Sequence, residues 1–317
     1  MTQARIKSSF IYLANAVNDL TGNWKVIALV LAPVALLASL CLLPDALNLQ
    51  HLVSEAFKQG GQGQNVSFLP AQTPYVAAPH IEPLIPRWAT RSLHLVFLVL
   101  TAVTIVVVLC MLKWIQEGRR GSNALDSTFQ IYRHAMTRLL PFLWLYLLQL
   151  FAVLPLFLWA NLMLPLIVAV LVVLLIVPGF LAFVWLSVAQ YALVFDGYRT
   201  WLALFYGREL IRGRFLKVTL RIIVFLAVWS GYNTWAGGLF LALSLILGLV
   251  GAFAGALWVG VFLVDLLAVS VVFATTAFFF AAGLRLYQDL KASAPPAAAA
   301  MVQGPMSATG PLQSAAL

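Results

Sequence analysis

Residues 164–195 have the sequence LPLIVAVLVVLLIVPGFLAFVWLSVAQYALVF, and this uncharged stretch decides the fold. A helix needs roughly 20 apolar residues to cross the hydrocarbon core of a bilayer, and this stretch is longer than that. A backbone in lipid must satisfy its hydrogen bonds internally, which a helix does. The stretch therefore predicts a transmembrane helix over residues 164–195.

Five more apolar stretches lie along the chain, at residues 24–43, 93–115, 139–159, 218–247 and 254–286. Hydrophobic residues make up 63% of the chain and charged residues 9%, whereas soluble domains have about 25% charged residues. We therefore expect an all-α integral membrane protein with about six transmembrane helices. The last two stretches allow two arrangements, either two long helices or two helices with a re-entrant segment.

The formal net charge of +9 comes from Lys and Arg residues that flank the apolar stretches. This distribution sets membrane topology and differs from a basic groove, so we expect no nucleic-acid partner. With the N-terminus inside, only Lys58, Arg87 and Arg91 of the 19 Lys and Arg residues fall outside. The positive-inside rule therefore predicts that both termini are cytoplasmic.

The charge pattern and composition also divide the chain into regions. We expect one polytopic membrane domain over residues 1–291, with an external loop or cap at residues 44–91. This segment has too little apolar material for an independent core. Residues 292–317 are rich in Ala, Pro, Gly and Ser and carry no charge, so they are predicted to be a disordered tail.

Three segments at residues 9–24, 124–139 and 200–215 each precede a pair of predicted spans. On a helix of 100° per residue, apolar side chains share one face of each segment. We expect three cytoplasmic interfacial amphipathic helices, in a threefold repeat of helix plus transmembrane hairpin. The alternative is that any cytoplasmic linker looks amphipathic. The shared faces include Phe10, Leu13 and Val17, then Leu125, Phe129 and Tyr132, then Trp201, Phe205 and Ile211.

The third segment differs from the other two because it carries arginines on its apolar face. Arg208 falls where Val17 and Tyr132 fall, and Arg212 follows one turn later. Guanidinium groups match phosphate in a bidentate way, so Arg208, Arg212 and Arg214 are candidate ligands for lipid phosphates. The alternative is that these arginines only set the membrane topology and extend their charged ends into water.

No catalytic set stands out in the sequence. It has no Gly-rich phosphate loop, no Ser-His-Asp combination and no pair of intramembrane carboxylates, and the protein is predicted to be non-enzymatic. His51, Glu55, His80 and Glu82 could in principle bind zinc. No motif fixes these four side chains in space, so we expect neither a metal nor a cofactor.

Several short motifs resemble a known family. Pro-Gly lies within the fourth span, Asp-Gly follows it, Gly lies before the fifth span, and Leu-Tyr-Gln-Asp-Leu closes the last one. Together they resemble a six-span bacterial family that includes YciC-type inner-membrane proteins, and the membrane domain of some glycerophosphoryl diester phosphodiesterases. The motif residues are Pro178, Gly179, Asp196, Gly197, Gly213, Tyr287 and Asp289.

The resemblance covers roughly residues 124–291 and has two departures. Gly207 stands where the family often has Ser, and the family often has an Arg in the fourth span near Trp185. The resemblance implies a bacterial inner-membrane location and a role in envelope or lipid homeostasis, without a known reaction. The phosphodiesterase activity is not carried over, because we expect no soluble domain from this sequence.

Our first functional hypothesis is a non-enzymatic membrane protein that binds membrane lipids or other membrane proteins. The alternative is a transporter or lipid translocator, which needs a continuous polar path or a lateral groove. An intramembrane enzyme ranks last, because it needs converging titratable residues within the bilayer.

Overall fold

The computed structural model describes residues 7–61, 84–118, 124–161, 166–254 and 257–294. All regular secondary structure in these ranges is helical. The helices are α1 (Ser9–Thr21), α2 (Trp24–Gly61), α3 (Arg87–Gln116), α4 (Ala124–Asn161), α5 (Leu166–Phe195), α6 (Thr200–Ile211), α7 (Phe215–Ala254) and α8 (Leu257–Ala292).

Six of the described helices are long and apolar enough to cross a membrane. Their candidate spans are Trp24–His51, Trp88–Gln116, Leu125–Pro155, Leu174–Phe195, Phe215–Phe240 and Trp258–Ala292. The predicted class is thereby confirmed, and the chain is an all-α polytopic membrane protein. The last two apolar stretches form two long helices over the described residues, α7 and α8.

The chain divides into two compact units. Unit 1 comprises Met1–Val30, Ala102–Ser230 and Thr275–Leu317, and unit 2 comprises Leu31–Thr101 and Gly231–Ala274. Within the sequence bounds of unit 2, the Lys and Arg residues are Lys58, Arg87 and Arg91. These are the three cations that the sequence places on the external side.

The predicted cap at residues 44–91 is largely helical where the structure describes it. α2 continues through Pro44 to Gly61, and α3 begins at Arg87, while residues 62–83 lie outside the described residues. A proline removes one backbone donor, which a long helix tolerates when neighbouring groups compensate. Of the predicted tail, residues 295–317 lie outside the described residues.

Polar contacts tie α2 to α3 within unit 2. The Asn48 amide accepts a hydrogen bond from the backbone nitrogen of Ile85 at 2.8 Å and donates one to its carbonyl at 3.4 Å. His94 Nε2 lies 2.8 Å from the carboxylate of Asp45. These contacts fix the segment that enters α3 against the C-terminal half of α2.

Only two of the three predicted interfacial segments are separate helices. α1 ends in a short turn at Gly22, and α6 ends in a short turn at Gly213. Gly213 has a φ of +77°, a conformation that favours glycine. The second segment instead continues into the span as α4. α4 contains no glycine from Ala124 to Asn161. The second interfacial segment therefore has no glycine that could end the helix before the span begins.

Close helix packing in unit 1 depends on glycine. α4 packs on α5, and α5 packs on α6. A Cβ at Gly179 would collide with the carbonyl oxygen of Ala152, and a Cβ at Gly207 would lie 3.1 Å from the backbone nitrogen of Ala189. Small residues let helix backbones approach closely. Pro178 lies inside α5, which continues on both sides of it.

Candidate functional site

The C-terminal end of α8 carries a run of polar side chains that contact three other parts of unit 1. Residues four apart share a helix face, so Arg285, Asp289 and Ser293 point to one side. Tyr287 and Lys291 point to the opposite side by the same rule. The hydrogen bonds of these five residues define a polar cluster, which we call the α8 end cluster.

The first face of this cluster holds α1. The Arg285 guanidinium donates from Nη2 to Asp19 Oδ1 at 2.7 Å and from Nε to Oδ2 at 3.0 Å. The Tyr12 hydroxyl donates to Asp289 Oδ2 at 2.7 Å. Arg285 and Asp19 are each about one-third exposed, with 38% and 32% of the side chain accessible. α1 is thus attached to α8 by an ion pair and a charge-assisted hydrogen bond.

Tyr12 is the most buried residue of this contact, with 1% of its surface exposed. Burial, followed by the hydrogen bond to Asp289, raises the pKa of Tyr12 to about 12. Its hydroxyl also accepts a hydrogen bond from the backbone nitrogen of Lys7 at 3.0 Å. The phenol therefore stays protonated and bridges the two ends of the chain.

The second face of the α8 end cluster holds the loop between α5 and α6. Asp196 accepts a hydrogen bond from the Tyr287 hydroxyl and one from Lys291 Nζ, the latter at 2.6 Å. The Asp196 side chain is 13% exposed, and its two donors compensate the desolvation of the carboxylate. Gly197 follows with a φ of +73°, which ends α5 and turns the chain toward α6.

Cations from neighbouring helices bind the same loop through its backbone. Lys113 Nζ donates to the carbonyl oxygens of Val194 and Phe195 at 3.2 and 3.0 Å. These carbonyls belong to the last turn of α5, where an intrahelical partner is missing. Arg138 donates to the carbonyl of Gly197 at 3.4 Å. The loop is therefore fixed by α3, α4 and α8 together.

The motif residues of the family resemblance occupy three places. Asp196, Gly197, Tyr287 and Asp289 all lie in or beside the α8 end cluster. Pro178 and Gly179 lie in the α5 packing surface described above. Gly213 forms the turn between α6 and α7, next to Arg214.

The three arginines predicted to bind phosphate have different environments. Arg214 is half-buried and donates to both the hydroxyl and the carbonyl oxygen of Ser293, so it belongs to the α8 end cluster. Arg212 pairs with Glu209 at 3.3 Å, but 76% of its side chain is exposed. Arg208 is exposed as well, and its guanidinium lies 5.6 Å from the ring centre of Trp185.

The exposed side of α6 combines these two arginines with aromatic residues. Trp201 is 66% exposed and Phe205 is 55% exposed. Together with Arg208 and Arg212 they follow the spacing i, i+4, i+7, i+11 of one helix face, which we call the α6 outer face. The opposite face is buried and contains Ala203, Tyr206, Gly207, Leu210 and Ile211.

In the first and second predicted interfacial segments, the residues of the shared apolar face differ in how much of their surface is exposed. Phe10 is 74% exposed, whereas Leu13 of the same predicted face is buried. Leu125 and Phe129 are each 71% exposed. Large apolar side chains on the outside of an amphipathic helix are typical of helices that lie in a membrane interface.

The two departures from the family resemblance lie in one contact between α5 and α6. Gly207 faces the backbone of Ala189, and Arg208 stacks against Trp185. Trp185 and Ala189 are four residues apart on α5, so they share a face. The tryptophan thus supplies a π surface to Arg208, an arrangement that contributes about 0.5–1 kcal/mol at an exposed site.

The sequence pattern did not identify Tyr12, Asp19, Arg285 or Lys291 as members of a site. The signal that could have found them was the four-residue spacing of polar side chains at the end of the last span. Among the described residues, no group of three His, Cys, Asp or Glu side chains lies together in a way that could hold a metal. His80 and Glu82 lie outside the described residues.

No family model, curated protein or solved structure matches the chain. The fold and the contacts above define an all-α polytopic membrane protein, and they are the basis for the function proposed next.

Proposed function

We propose that this protein is a non-enzymatic membrane component that binds anionic lipid through the α6 outer face. The observation that carries the proposal is the pairing of Arg208 and Arg212 with exposed Trp201 and Phe205 on one helix face. Aromatic rings of this kind insert at the level of lipid headgroups, and arginines beside them reach the phosphates. Arg214 is not part of this surface, because Ser293 holds its guanidinium.

The proposal places this face on the cytoplasmic side of a bacterial inner membrane, with both termini on that side. The segregation of Lys58, Arg87 and Arg91 into unit 2 supports this orientation. Membership of the YciC-type family is part of the same proposal. Its support is that four of the motif residues, Asp196, Gly197, Tyr287 and Asp289, lie in or beside one polar cluster.

Lipid co-purification tests the binding proposal. Each arginine near an anionic surface contributes about 1 kcal/mol of attraction, so Arg208→Gln/Arg212→Gln should retain roughly thirtyfold less anionic lipid. The lipid retained per protein after detergent extraction is measured by mass spectrometry. Arg87→Gln/Arg91→Gln removes the same charge from unit 2 and should leave anionic lipid unchanged. Equal loss in both variants, or no loss in the first, contradicts the proposal.

The orientation is tested separately by labelling. Arg212→Cys and Arg91→Cys each introduce a thiol at an exposed position, the first in unit 1 and the second in unit 2. In sealed cells, a membrane-impermeant thiol reagent applied outside should modify the cysteine at 91 and not that at 212. Cys41 and Cys110 are buried, and their replacement by Ala gives a clean background. Labelling at 212 from outside would reject the cytoplasmic placement of α6.

A further inference from the structure

Helix α1 has one buried face and one exposed face within unit 1. Tyr12, Leu13 and Ala16 are buried, and on a helix of 100° per residue they lie within about 100° of one another. The exposed residues of α1 cover the other side, within about 120°. They are Phe10, Ile11, Ala14, Val17, Asn18 and Thr21. We call this surface the α1 outer face.

The α1 outer face is mostly apolar and carries no charge. Phe10 is 74% exposed, and Ile11 and Val17 are 46% and 45% exposed. The polar members are an amide and a hydroxyl, from Asn18 and Thr21. The Thr21 hydroxyl donates to the carbonyl of Asn18 at 3.3 Å, so it has a hydrogen-bond partner within the helix. The face therefore presents large apolar side chains beside small uncharged polar groups.

The one charged residue of α1 is taken up by α8. Asp19 lies off the α1 outer face, and the Arg285 guanidinium binds its carboxylate at 2.7 to 3.0 Å. α1 itself contains no Lys or Arg, and Lys7 and Lys25 lie before and after it. An interfacial helix binds by burying apolar area and by attracting anionic lipid. Because α1 has no cation, the apolar contribution dominates at its outer face.

The position of α1 at the end of a span decides what covers this face. Trp24 begins α2 and its candidate span, so two residues separate α1 from the span. The backbone nitrogens of these residues, Gly22 and Asn23, bond back to α1 at 3.2 and 3.1 Å. Trp24 is 62% exposed, and Lys25 Nζ lies 5.9 Å from its ring centre. Tryptophan is enriched where a span meets the lipid headgroups, so lipid is the occupant that fits the α1 outer face.

We propose that the α1 outer face inserts at the headgroup level of the bilayer and responds to how tightly the lipids pack. An uncharged apolar face enters between headgroups where gaps expose the acyl chains, so loose packing favours its insertion. Anionic lipid has little effect on this face, in contrast to the α6 outer face with Arg208 and Arg212. The inference shares with the proposed function only the membrane location, and it does not depend on the α6 arginines.

An environment-sensitive fluorophore attached to Ala14→Cys measures the insertion. Ala14 lies within the α1 outer face, and the Cys41→Ala/Cys110→Ala background leaves a single thiol. Full-length protein is placed in large vesicles of dioleoylphosphatidylcholine, of fluid dimyristoylphosphatidylcholine, or of dioleoylphosphatidylcholine with dioleoylphosphatidylglycerol. Both leaflets have the same composition, so the orientation of the protein does not affect the comparison. The emission should be blue-shifted in both dioleoyl vesicles and closer to its aqueous value between the tightly packed saturated chains.

Two matched variants show which side chains cause the insertion. Phe10→Ser/Val17→Ser removes apolar area from the α1 outer face and keeps its buried face. The ratio of inserted to aqueous fluorophore in dioleoylphosphatidylcholine should fall at least about tenfold. Trp201→Ser/Phe205→Ser makes the equivalent change on the α6 outer face and should leave the fluorophore at position 14 unchanged. If Phe10→Ser/Val17→Ser does not fold, Val17→Ser alone should give a smaller loss in the same direction.

Other outcomes overturn the proposal. An aqueous emission in every vesicle shows that lipid does not cover the face, and equal insertion in both neutral lipids shows that packing has no effect. A larger effect of phosphatidylglycerol than of chain saturation assigns the insertion to charge. In detergent, shielding of the fluorophore that rises with protein concentration identifies a second copy of the chain as the occupant. Arg208→Gln/Arg212→Gln should keep the insertion of α1 even where anionic lipid is lost, so the two proposals can fail independently.

Discussion

Arg285 on α8 and Asp19 on α1 form a two-pronged ion pair across 266 positions of the chain, with nitrogen–oxygen distances of 2.7 to 3.0 Å. The pair fastens α1 to α8, the first and the last of the helices that the structure describes. Because α1 also contributes Tyr12 to Asp289, its attachment depends on two neighbouring polar contacts one turn apart on α8.

Breaking this ion pair should loosen α1. Asp19→Asn removes the charge, and we expect a loss of about 0.5–1 kcal/mol because both side chains are about one-third exposed. Thermal unfolding in detergent is the measurement. Arg285→Gln should give a similar loss, and Asp19→Asn/Arg285→Gln should be less destabilised than the sum of the two. Full additivity would mean that the pair contributes no coupling energy.

Asp196 should matter more than Asp19, because its carboxylate is less exposed and has two donors. Asp196→Ala leaves the Tyr287 hydroxyl and the Lys291 ammonium without their acceptor, and we expect a loss of about 1–3 kcal/mol. Asp196→Asn keeps an acceptor for Tyr287, so it should lose less. The unfolding temperature reports the change. Equal stability of Asp196→Ala and the wild type would show that the α8 end cluster does not hold this loop.

The contact of Gly207 with α5 should reject a side chain. Gly207→Ala places a methyl group about 3.1 Å from the backbone nitrogen of Ala189, and overpacking of this kind costs about 1–3 kcal/mol. Gly237 in α7 is the matched control, since no atom lies within 4 Å of a Cβ there. Gly237→Ala should be neutral or stabilising by up to about 1 kcal/mol. Destabilisation of the control by as much as Gly207→Ala would remove the packing explanation.

Tyr12 should give the attachment of α1 a dependence on alkaline pH. Its folded-state pKa is raised to about 12 from an ordinary value of 10. The stabilisation is therefore fully present below about pH 10, and it is lost as the pH rises through 12, because the unfolded state releases the proton more easily. Tyrosinate absorbance is measured against pH for the wild type and for Tyr12→Phe. The difference between the two titration curves should have its midpoint well above pH 10. A midpoint near 10 would show that Tyr12 is neither buried nor bonded to Asp289.

The sequence predicted the transmembrane class and the six spans because hydrocarbon imposes a length and a composition on each helix. It also placed about half of the span ends within a few residues of the candidate spans. The largest differences are at the start of the third span and the start of the fourth. α2 continues past Pro44, and α4 begins at Ala124 without a break before the span. Hydropathy has no signal for such continuations, because polar residues in a helix that leaves the membrane resemble those of a loop.

The pairings within unit 1 could not be read from the sequence. Asp196 lies 91 positions from Tyr287 along the chain, and Arg214 lies 79 positions from Ser293. The sequence marked Arg214 as a phosphate ligand with the same weight as Arg208 and Arg212. The tertiary structure separates them, because only the end of α8 brings an acceptor to Arg214.

The amino-acid sequence by itself determined that this chain spans a membrane and where its cations gather, since both follow from local transfer energies of single residues. Only the tertiary structure decided which polar side chains are held by one another and which remain exposed to a ligand. Which side chains pair depends on contacts between residues far apart in the chain. Such a contact contributes free energy only after the helices have packed.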